Sequence, residues 1–368
     1  MIPKILIIGS TGKLGVTLLN FCHKNRIIVN TITCFTNSIL LNKQSSKYNI
    51  PNKFTLTKDE DLFNFQTLIS HNHFDIIYFL NCGSGSLELL DQILLNIKNS
   101  MIAIANKEMI IAGGRLLIKR IKDSHNCFIP LDSEHFSLLN SNISNESIKK
   151  VYITASGGPL YFKKKLNLNK ISKKIVLSHP KWKMGLNNLI DSSNFINKIL
   201  EIFELSSIFN IDLEKIDFLI SQEAYIHSIV EYKNNIITYN AFNNDMLITL
   251  VNPLSKYYDI NLKINKSVLK NNKFFHIEKY NDNRFYIIKY LKKLKKINHH
   301  QQINFMILNN IAQNMYMANK ISYIDIVPFI ISKINFNVKN KKFRSFKEIN
   351  LYIRSIKQKY TQYSNENN

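Results

Sequence analysis

Short apolar runs alternate with amphipathic stretches over the first 150 residues. "KILIIG" (4–9), "VNTITCF" (29–35), "DIIYFLN" (75–81) and "SMIAIAN" (100–106) are brief and apolar. Such runs predict strands buried on both faces. Between the last two, "SLELLDQILLNIK" (86–98) has apolar positions at helical spacing. Strands with intervening helices predict an α/β unit built on a parallel sheet. The pattern changes near residue 150. "SSNFINKILEIFELSSIF" (192–209) predicts a helix, and "AYIHSIVEY" (224–232) alternates as a strand does. From residue 282 the chain reads as helical, with "FMILNNIAQNMYMANKI" (305–321) and "YIDIVPFIISKI" (323–334). "INKSVLKNNK" (264–273) predicts a linker, and "QKYTQYSNENN" (358–368) a frayed tail.

Composition narrows the class. Of 368 residues, 45% are hydrophobic and 20% charged, as in an ordinary globular protein. Charges or Asn interrupt every apolar run, so no membrane span is expected. A strand-like run begins within four residues of the N-terminus, with no leader pattern before it. Cys22, Cys34, Cys82 and Cys127 show no metal or disulfide spacing, which fits a reducing compartment. A cytoplasmic protein is expected. The net charge of +23 suggests nucleic acid at first sight. Lys is spread through the chain, however. The runs "FKKKL" (162–166) and "KKLKK" (292–296) lack the interleaved aromatics of a stacking platform. No specific nucleic-acid partner is expected, although a basic surface draws anions towards a cleft.

"GSTGKLG" (9–15) follows the first strand and opens a helix. Gly9 and Gly12 permit a tight turn and close approach of a pyrophosphate, while the helix N-terminus offers N–H donors. The second strand runs into "TNSILLNKQSSK" with no acidic residue to hold a ribose 2′-hydroxyl. That leans away from NAD and towards NADP.

Polar blocks follow. "IANKE" (104–108) ends a strand, where ligands sit in a doubly wound sheet. "IPLDSEHFSLL" (129–139) sets Asp132, Ser133, Glu134 and His135 among apolar residues, either as a capped turn or as a metal site at a strand end. "TASGGP" (154–159) brings a hydroxyl and two Gly, and "HPKWKMG" (179–185) a His, a Trp and two Lys. "IDSSNFINKILE" (190–201) places Asn197 and Glu201 four apart on one helix face. Each block has a plain reading: Ser192 as an N-cap, Trp182 as a core anchor, Glu201 on a solvated face.

The order "GSTGKLG", "IANKE", "PLDSEH", "TASGGP", "HPKWKMG", "IDSSNFINKILE", "IHSIVEY" resembles 1-deoxy-D-xylulose 5-phosphate reductoisomerase. The resemblance is clear from residue 4 to about 255 and weaker beyond. It implies an N-terminal Rossmann-like NADPH-binding domain (1–149), a central α+β catalytic and dimerisation domain (150–255), a linker (256–281) and a C-terminal helical domain (282–368). Asp132, Glu134 and Glu201 match the carboxylates that hold Mg²⁺ or Mn²⁺. The implied catalytic set is Lys107, Glu134, His135, His179 and His227. Ser133, Ser156, His179, Trp182, Ser192, Asn197 and Lys198, with Lys107, Glu134 and Glu201, match the site of a phosphorylated sugar. Thr11, Gly12, Lys13, Leu14, Asn37, Asn106, Glu108, Met184 and Gly185 match NADPH contacts. A homodimer is also implied.

The chain departs from the family pattern at Lys13, at Asn37 to Ile39, at Asn187 to Leu189, and at Ser221 and Gln222. Three other readings stand beside the resemblance. One is an inactive descendant, another a different NADP-linked oxidoreductase, and the third a basic RNA-associated protein. Survival of Lys107 and of all three carboxylates argues against the first. The lack of a strand-end catalytic Cys argues against a semialdehyde dehydrogenase.

Overall fold

The computed structural model describes residues 2–163, 165–179, 185–262, 275–280, 284–338 and 341–365, with the backbone alone for 361–365. Two compact units divide the chain: Met1–Phe136 with Asp245–Asn265, and Ser137–Asn244 with Lys266–Asn368.

The first unit holds six parallel strands: β1 (Ile5–Ile8), β2 (Thr31–Cys34), β3 (Asn52–Thr55), β4 (Ile76–Phe79), β5 (Met101–Ile104) and β6 (Cys127–Pro130). Their order is β3-β2-β1-β4-β5-β6, the doubly wound arrangement with its reversal between β1 and β4. All four runs read as strands are strands, and the helix read at 86–98 spans Ser86–Asn96. Every residue of β1, β2, β4 and β5 is buried, as continuous apolar runs require.

The segment after residue 245 belongs to this unit. Leu250, Val251 and Leu254 share the core of Ile5, Leu18, Tyr78 and Ala103, and Tyr258, Ile260 and Leu262 pack against it. Tyr78 is fully buried on β4, and its hydroxyl donates to Leu250 O at 2.9 Å. A buried phenol needs such a partner, and the returning chain supplies it. Residues 245–255, expected in the central domain, and 256–262, expected in a linker, lie in this unit instead, because apolar spacing does not show which core a short helix joins. The expected linker core, 264–273, lies outside the described residues.

The second unit is built on a mixed sheet ordered β10-β9-β7-β8. Its strands are β7 (Ile148–Ala155), β8 (Ile216–Ile220), β9 (Ile226–Tyr232) and β10 (Ile237–Ala241). β7 pairs parallel with β8 and antiparallel with β9. The long helix read over 192–209 is two helices, Leu186–Asn194 and Ile196–Phe209, broken at Phe195 with φ 67°. Helices Tyr286–Leu294, His299–Met317, Ile326–Lys333 and Phe346–Asn365 complete the unit. Helix His299–Met317 is buried over most of its length, with Phe305 edge-on to Phe203 at 5.7 Å. The C-terminal helical part therefore packs on helix Ile196–Phe209 within the same unit. The tail read as frayed from 358 stays helical to Asn365, because Tyr360 is buried and donates to Lys333 O at 2.9 Å. No helix among the described residues is long and apolar enough to cross a membrane.

Candidate active site

In the first unit the site begins where β1 ends. Gly9 has φ 88°, and a Cβ there would lie 2.6 Å from Asn81 N. Only Gly fits this turn. A Cβ on Gly15 would strike Ser10 O, so the first helix can lie close over the loop. Ser10 Oγ donates to Gln44 Oε1 at 2.8 Å, and Gln44 Nε2 donates back to Ser10 O at 2.9 Å. The buried amide of helix Ser38–Tyr48 thereby fixes the loop. Gly12 differs. It caps helix Lys13–Lys24, and a Cβ on it would find Gly9 O at 3.4 Å as its nearest neighbour. Gly12 and Lys13 are exposed, with Thr11 and Leu14 half-buried beside them. The helix end has no side-chain cap, so its N–H donors face outward.

Asn37 and Asn106 are both helix caps. Asn37 Oδ1 accepts from Leu40 N at 3.0 Å. Asn106 Oδ1 accepts from Met109 N at 2.9 Å, while its Nδ2 donates to Gly83 O at 2.8 Å. Glu108, half-buried on the same helix, is close enough to Cys82 to push that thiol up, after burial itself.

The knot at 132–135 resolves as a single helical turn, Ser133–Phe136, off the end of β6. Asp132 caps it, with Oδ1 accepting from Glu134 N at 3.2 Å. Its other oxygen lies 3.5 Å from Lys107 Nζ, which stands at the end of β5. Fully buried His135 places Nδ1 3.5 Å from Asp132 Oδ1. Ser133 Oγ donates to Glu134 Oε2 at 2.6 Å. The turn thus presents two carboxylates, a hydroxyl and an ammonium at the sheet's C-terminal edge, so the capping role does not exclude the chemical one.

In the second unit Ser156 follows β7, and the chain turns at Gly157 (φ 83°) and Gly158 (φ 58°). Ser156 Oγ is 3.2 Å from His179 Nε2. Burial, and after it the charge of Lys198, holds the His179 imidazole well below its ordinary range, at about 4. Gly158 packs on the next segment, where a Cβ would lie 2.5 Å from Ser192 O. Ser192 sits inside helix Leu186–Asn194, whose cap is Gly185, so it is not the N-cap of the plain reading. Beyond Phe195, Lys198 Nζ is 2.5 Å from Glu201 Oε2, and Asn197 Nδ2 donates to Glu201 Oε1. Glu201 is 2% exposed, which corrects the solvated-face reading. His227 is buried in β9, stacked on the Phe242 ring at 3.9 Å with Nε2 3.2 Å from Phe242 O. Trp182 and Met184 lie outside the described residues.

Two residues of this region escaped the sequence reading. Asp191 is buried, and both its oxygens lie 3.0 Å from Asn309 Nδ2, with Gln313 Nε2 at 2.5 Å. Its partners are more than a hundred residues away, so no local pattern marks it. Phe195 adopts a left-handed conformation rare for a bulky residue. Its ring contacts those of Tyr161, Phe218 and Phe285.

Residues 128–209, which carry most of these groups, match the family model of the 1-deoxy-D-xylulose 5-phosphate reductoisomerase C-terminal domain. A 1-deoxy-D-xylulose 5-phosphate reductoisomerase of Pelagibacter ubique is 32% identical over 372 aligned positions, covering 95% of each chain. One from Clostridium novyi is 34% identical over 70% of this chain and 69% of its own. The fold is similar to that of the reductoisomerase from Zymomonas mobilis solved in complex with NADPH, at TM-score 0.81, 20% identity and 97% coverage of both chains. It is equally similar to a reductoisomerase solved with NADPH, fosmidomycin and magnesium, at TM-score 0.83, 21% identity and 98% coverage of both. With near-complete coverage of a relative at this identity, and with the family's polar blocks carried at strand ends and helix starts, the chain belongs to the 1-deoxy-D-xylulose 5-phosphate reductoisomerase family.

Proposed function

We propose that the chain rearranges 1-deoxy-D-xylulose 5-phosphate and reduces the product with NADPH to 2-C-methyl-D-erythritol 4-phosphate, a step of non-mevalonate isoprenoid precursor synthesis. One observation carries the reading. Ser156, His179 and Lys198 converge in the second unit beside buried Glu201, an anion pocket joined to a carboxylate on one helix.

The residues fit the groups the reaction needs. Exposed Gly12 starts a helix with no side-chain cap, and a helix N-terminus binds a nucleotide phosphate well. No acidic residue follows β2 from Phe35 to Tyr48, and Asn37 spends its oxygen on a cap, which favours a 2′-phosphate over a bare ribose 2′-hydroxyl. Asp132, Glu134 and Glu201 offer carboxylate oxygens, the donors that Mg²⁺ or Mn²⁺ prefers. When bound, the cation polarises the substrate ketone and its neighbouring hydroxyl, and the nicotinamide supplies the reducing electrons.

The chain's own groups do the rest. Ser156, Ser192, Asn197 and Lys198 hold the phosphate, so that binding energy remote from the reacting carbons positions them. His179 is neutral near pH 7 and contributes a hydrogen bond rather than a charge. Ser133 contacts a substrate hydroxyl. Lys107, 3.5 Å from Asp132, faces the oxygens whose protons shift as one carbon–carbon bond breaks and another forms. His135, buried behind Asp132, fixes that carboxylate's orientation. Gly185, at the start of helix Leu186–Asn194, borders the nicotinamide. His227 supports the same pocket from β9.

In this reading the first unit, Met1–Phe136 with Asp245–Asn265, binds NADPH, and the second, Ser137–Asn244 with Lys266–Asn368, carries the phosphate pocket, dimerisation and the helical part. The protein acts as a cytoplasmic homodimer. The edge strand β10 supports the dimer, since Ile237 and Tyr239 on it and Ile236 before it are exposed and its outer edge can pair. Four free cysteines, two of them exposed, support a reducing compartment.

The test is NADPH oxidation with 1-deoxy-D-xylulose 5-phosphate and Mg²⁺ or Mn²⁺, with the product identified by mass spectrometry. Turnover that requires both substrate and cation is expected. No oxidation, or oxidation indifferent to the cation, refutes the reading.

A further inference from the structure

The geometry points to Asp191 as a positioning residue for the phosphate pocket, acting through Ser192 and held in place by the C-terminal helix His299–Met317. The inference rests on the function proposed above. Asp191 is 3% exposed and sits on helix Leu186–Asn194 directly before Ser192. Asn309 Nδ2 lies 3.0 Å from both carboxylate oxygens, and Gln313 Nε2 lies 2.5 Å from one of them. Gln313 also donates to Asn187 O at 3.2 Å, one turn earlier on the same helix. On the other side of Ser192, Ser193 is fully buried, with Oγ 2.6 Å from Ile190 O and 3.1 Å from Tyr323 OH. Ser192 is therefore flanked by two residues tied to the C-terminal part of the chain.

The consequence reaches the pocket through backbone contact. Ser192 O lies against Gly158, where a Cβ would be 2.5 Å away. Gly158 follows Ser156, whose Oγ meets His179 at 3.2 Å. A rotation of helix Leu186–Asn194 would part Ser192 from Gly158, two residues beyond Ser156, or drive its carbonyl into the Gly158 backbone. Hydrogen bonds to a buried carboxylate resist such a rotation more strongly than neutral ones. Asn309 and Gln313 lie four apart on one face of their helix, so both reach the same carboxylate. This arrangement gives the C-terminal helical part a task in substrate binding without any contact to substrate.

The variants are Asn309→Ala and Gln313→Ala, which leave Asp191 and Ser192 in place, with Asp191→Ala and the conservative Asp191→Asn beside them. Two readouts are taken: steady-state kinetics, and affinity for inorganic phosphate by calorimetry. Asn309→Ala and Gln313→Ala should each raise the KM for 1-deoxy-D-xylulose 5-phosphate about tenfold and weaken phosphate binding to match, with the KM for NADPH unchanged. Asp191→Asn should recover part of what Asp191→Ala loses. Combining Asn309→Ala with Asp191→Ala should add little, because both break one linkage. A lowered melting temperature with unchanged substrate KM and phosphate affinity would overturn the inference, since that is what mere structural support predicts. If the wild type fails to oxidise NADPH while phosphate affinity still falls in Asn309→Ala, the proposed activity fails and the positioning role stands.

Discussion

Lys198 and Glu201 lie one turn apart on a single helix with their charged groups at 2.5 Å, and both side chains are almost wholly buried. A lysine suited to a phosphate and a carboxylate suited to a cation thus neutralise each other when neither ligand is near. Coulomb attraction in the interior compensates for two desolvated charges only while both partners remain.

Glu201→Gln tests the pair. It leaves the ammonium of Lys198 buried without its counter-charge, and losing one partner of a buried pair costs about 3–5 kcal/mol. Turnover at limiting Mn²⁺ should be lost as well. Lys198→Met combined with Glu201→Gln should regain most of the stability and none of the activity. Urea unfolding and steady-state assays on the three proteins check this. Wild-type rates in Glu201→Gln would remove Glu201 from the proposed cation ligands.

Gly9 and Gly12 should respond differently to alanine. At Gly9 the added methyl meets the Asn81 backbone at 2.6 Å and the φ of 88° is wrong for it. Strain of this kind costs about 1–3 kcal/mol before any cofactor effect. At Gly12 the nearest atom is 3.4 Å away and φ is −71°, so stability should change by less than about 1 kcal/mol. The methyl would fill the space proposed for the pyrophosphate, and the KM for NADPH should rise about tenfold, or ~1.4 kcal/mol. Thermal unfolding without cofactor and an NADPH titration separate the two. An unchanged NADPH KM in Gly12→Ala would place the nucleotide elsewhere.

Asn37→Asp addresses cofactor choice. Asp caps a helix as well as Asn does, so the hydrogen bond to Leu40 N should persist and stability should hold. The new charge at the end of β2 would accept from a ribose 2′-hydroxyl and repel a 2′-phosphate. The ratio of kcat/KM for NADPH to that for NADH should fall about tenfold. A ratio that does not move would mean that the 2′-phosphate lies away from Asn37.

These tests follow the line between what the chain shows in one dimension and what needs three. The strands buried on both faces were legible because a central parallel strand must be apolar throughout. β3 ("NKFT") carries no strand signal, and β6 ("CFIP") shows only as the strand end before Asp132. Both lie at the edges of the sheet, where one side faces solvent and polar residues or Pro are tolerated. The break at Phe195 was invisible, since a left-handed Phe carries no compositional mark and is held there by rings from distant segments. The polar blocks were legible as chemistry because several uncommon residue types fell together at strand ends. Asp191 shows the limit. Its neighbours in sequence say nothing of Asn309 and Gln313, and only the packing of the C-terminal helix reveals why a carboxylate is buried there.

His179 should leave a signature in acid. Burial and the charge of Lys198 lower its pKa from 6.5 to about 4. An unfolded chain takes up a proton near pH 6.5, whereas the folded protein does so only near 4. Between these values the unfolded state binds more protons, so a falling pH favours unfolding. The contribution of His179 is fully present above about pH 6.5, shrinks down to about pH 4 and is constant below. Carboxylates titrate in the lower part of the same window, so the observable is the difference between wild type and His179→Gln. The variant should lose less stability than wild type between about pH 6.5 and 4.5, with urea midpoints converging towards acid. The same neutrality sets an expectation for binding. Near pH 7 the imidazole brings no charge to a phosphate, so His179→Gln should raise substrate KM only a few-fold, while Lys198→Met, which removes a charge, should raise it by about tenfold or more. Inorganic phosphate bound below about pH 6 should pull the imidazole towards its charged form, and calorimetry in buffers of different ionisation enthalpy would register that proton uptake. Identical acid profiles for wild type and His179→Gln, together with phosphate binding that takes up no proton, would mean that His179 is neither buried nor near Lys198 in solution.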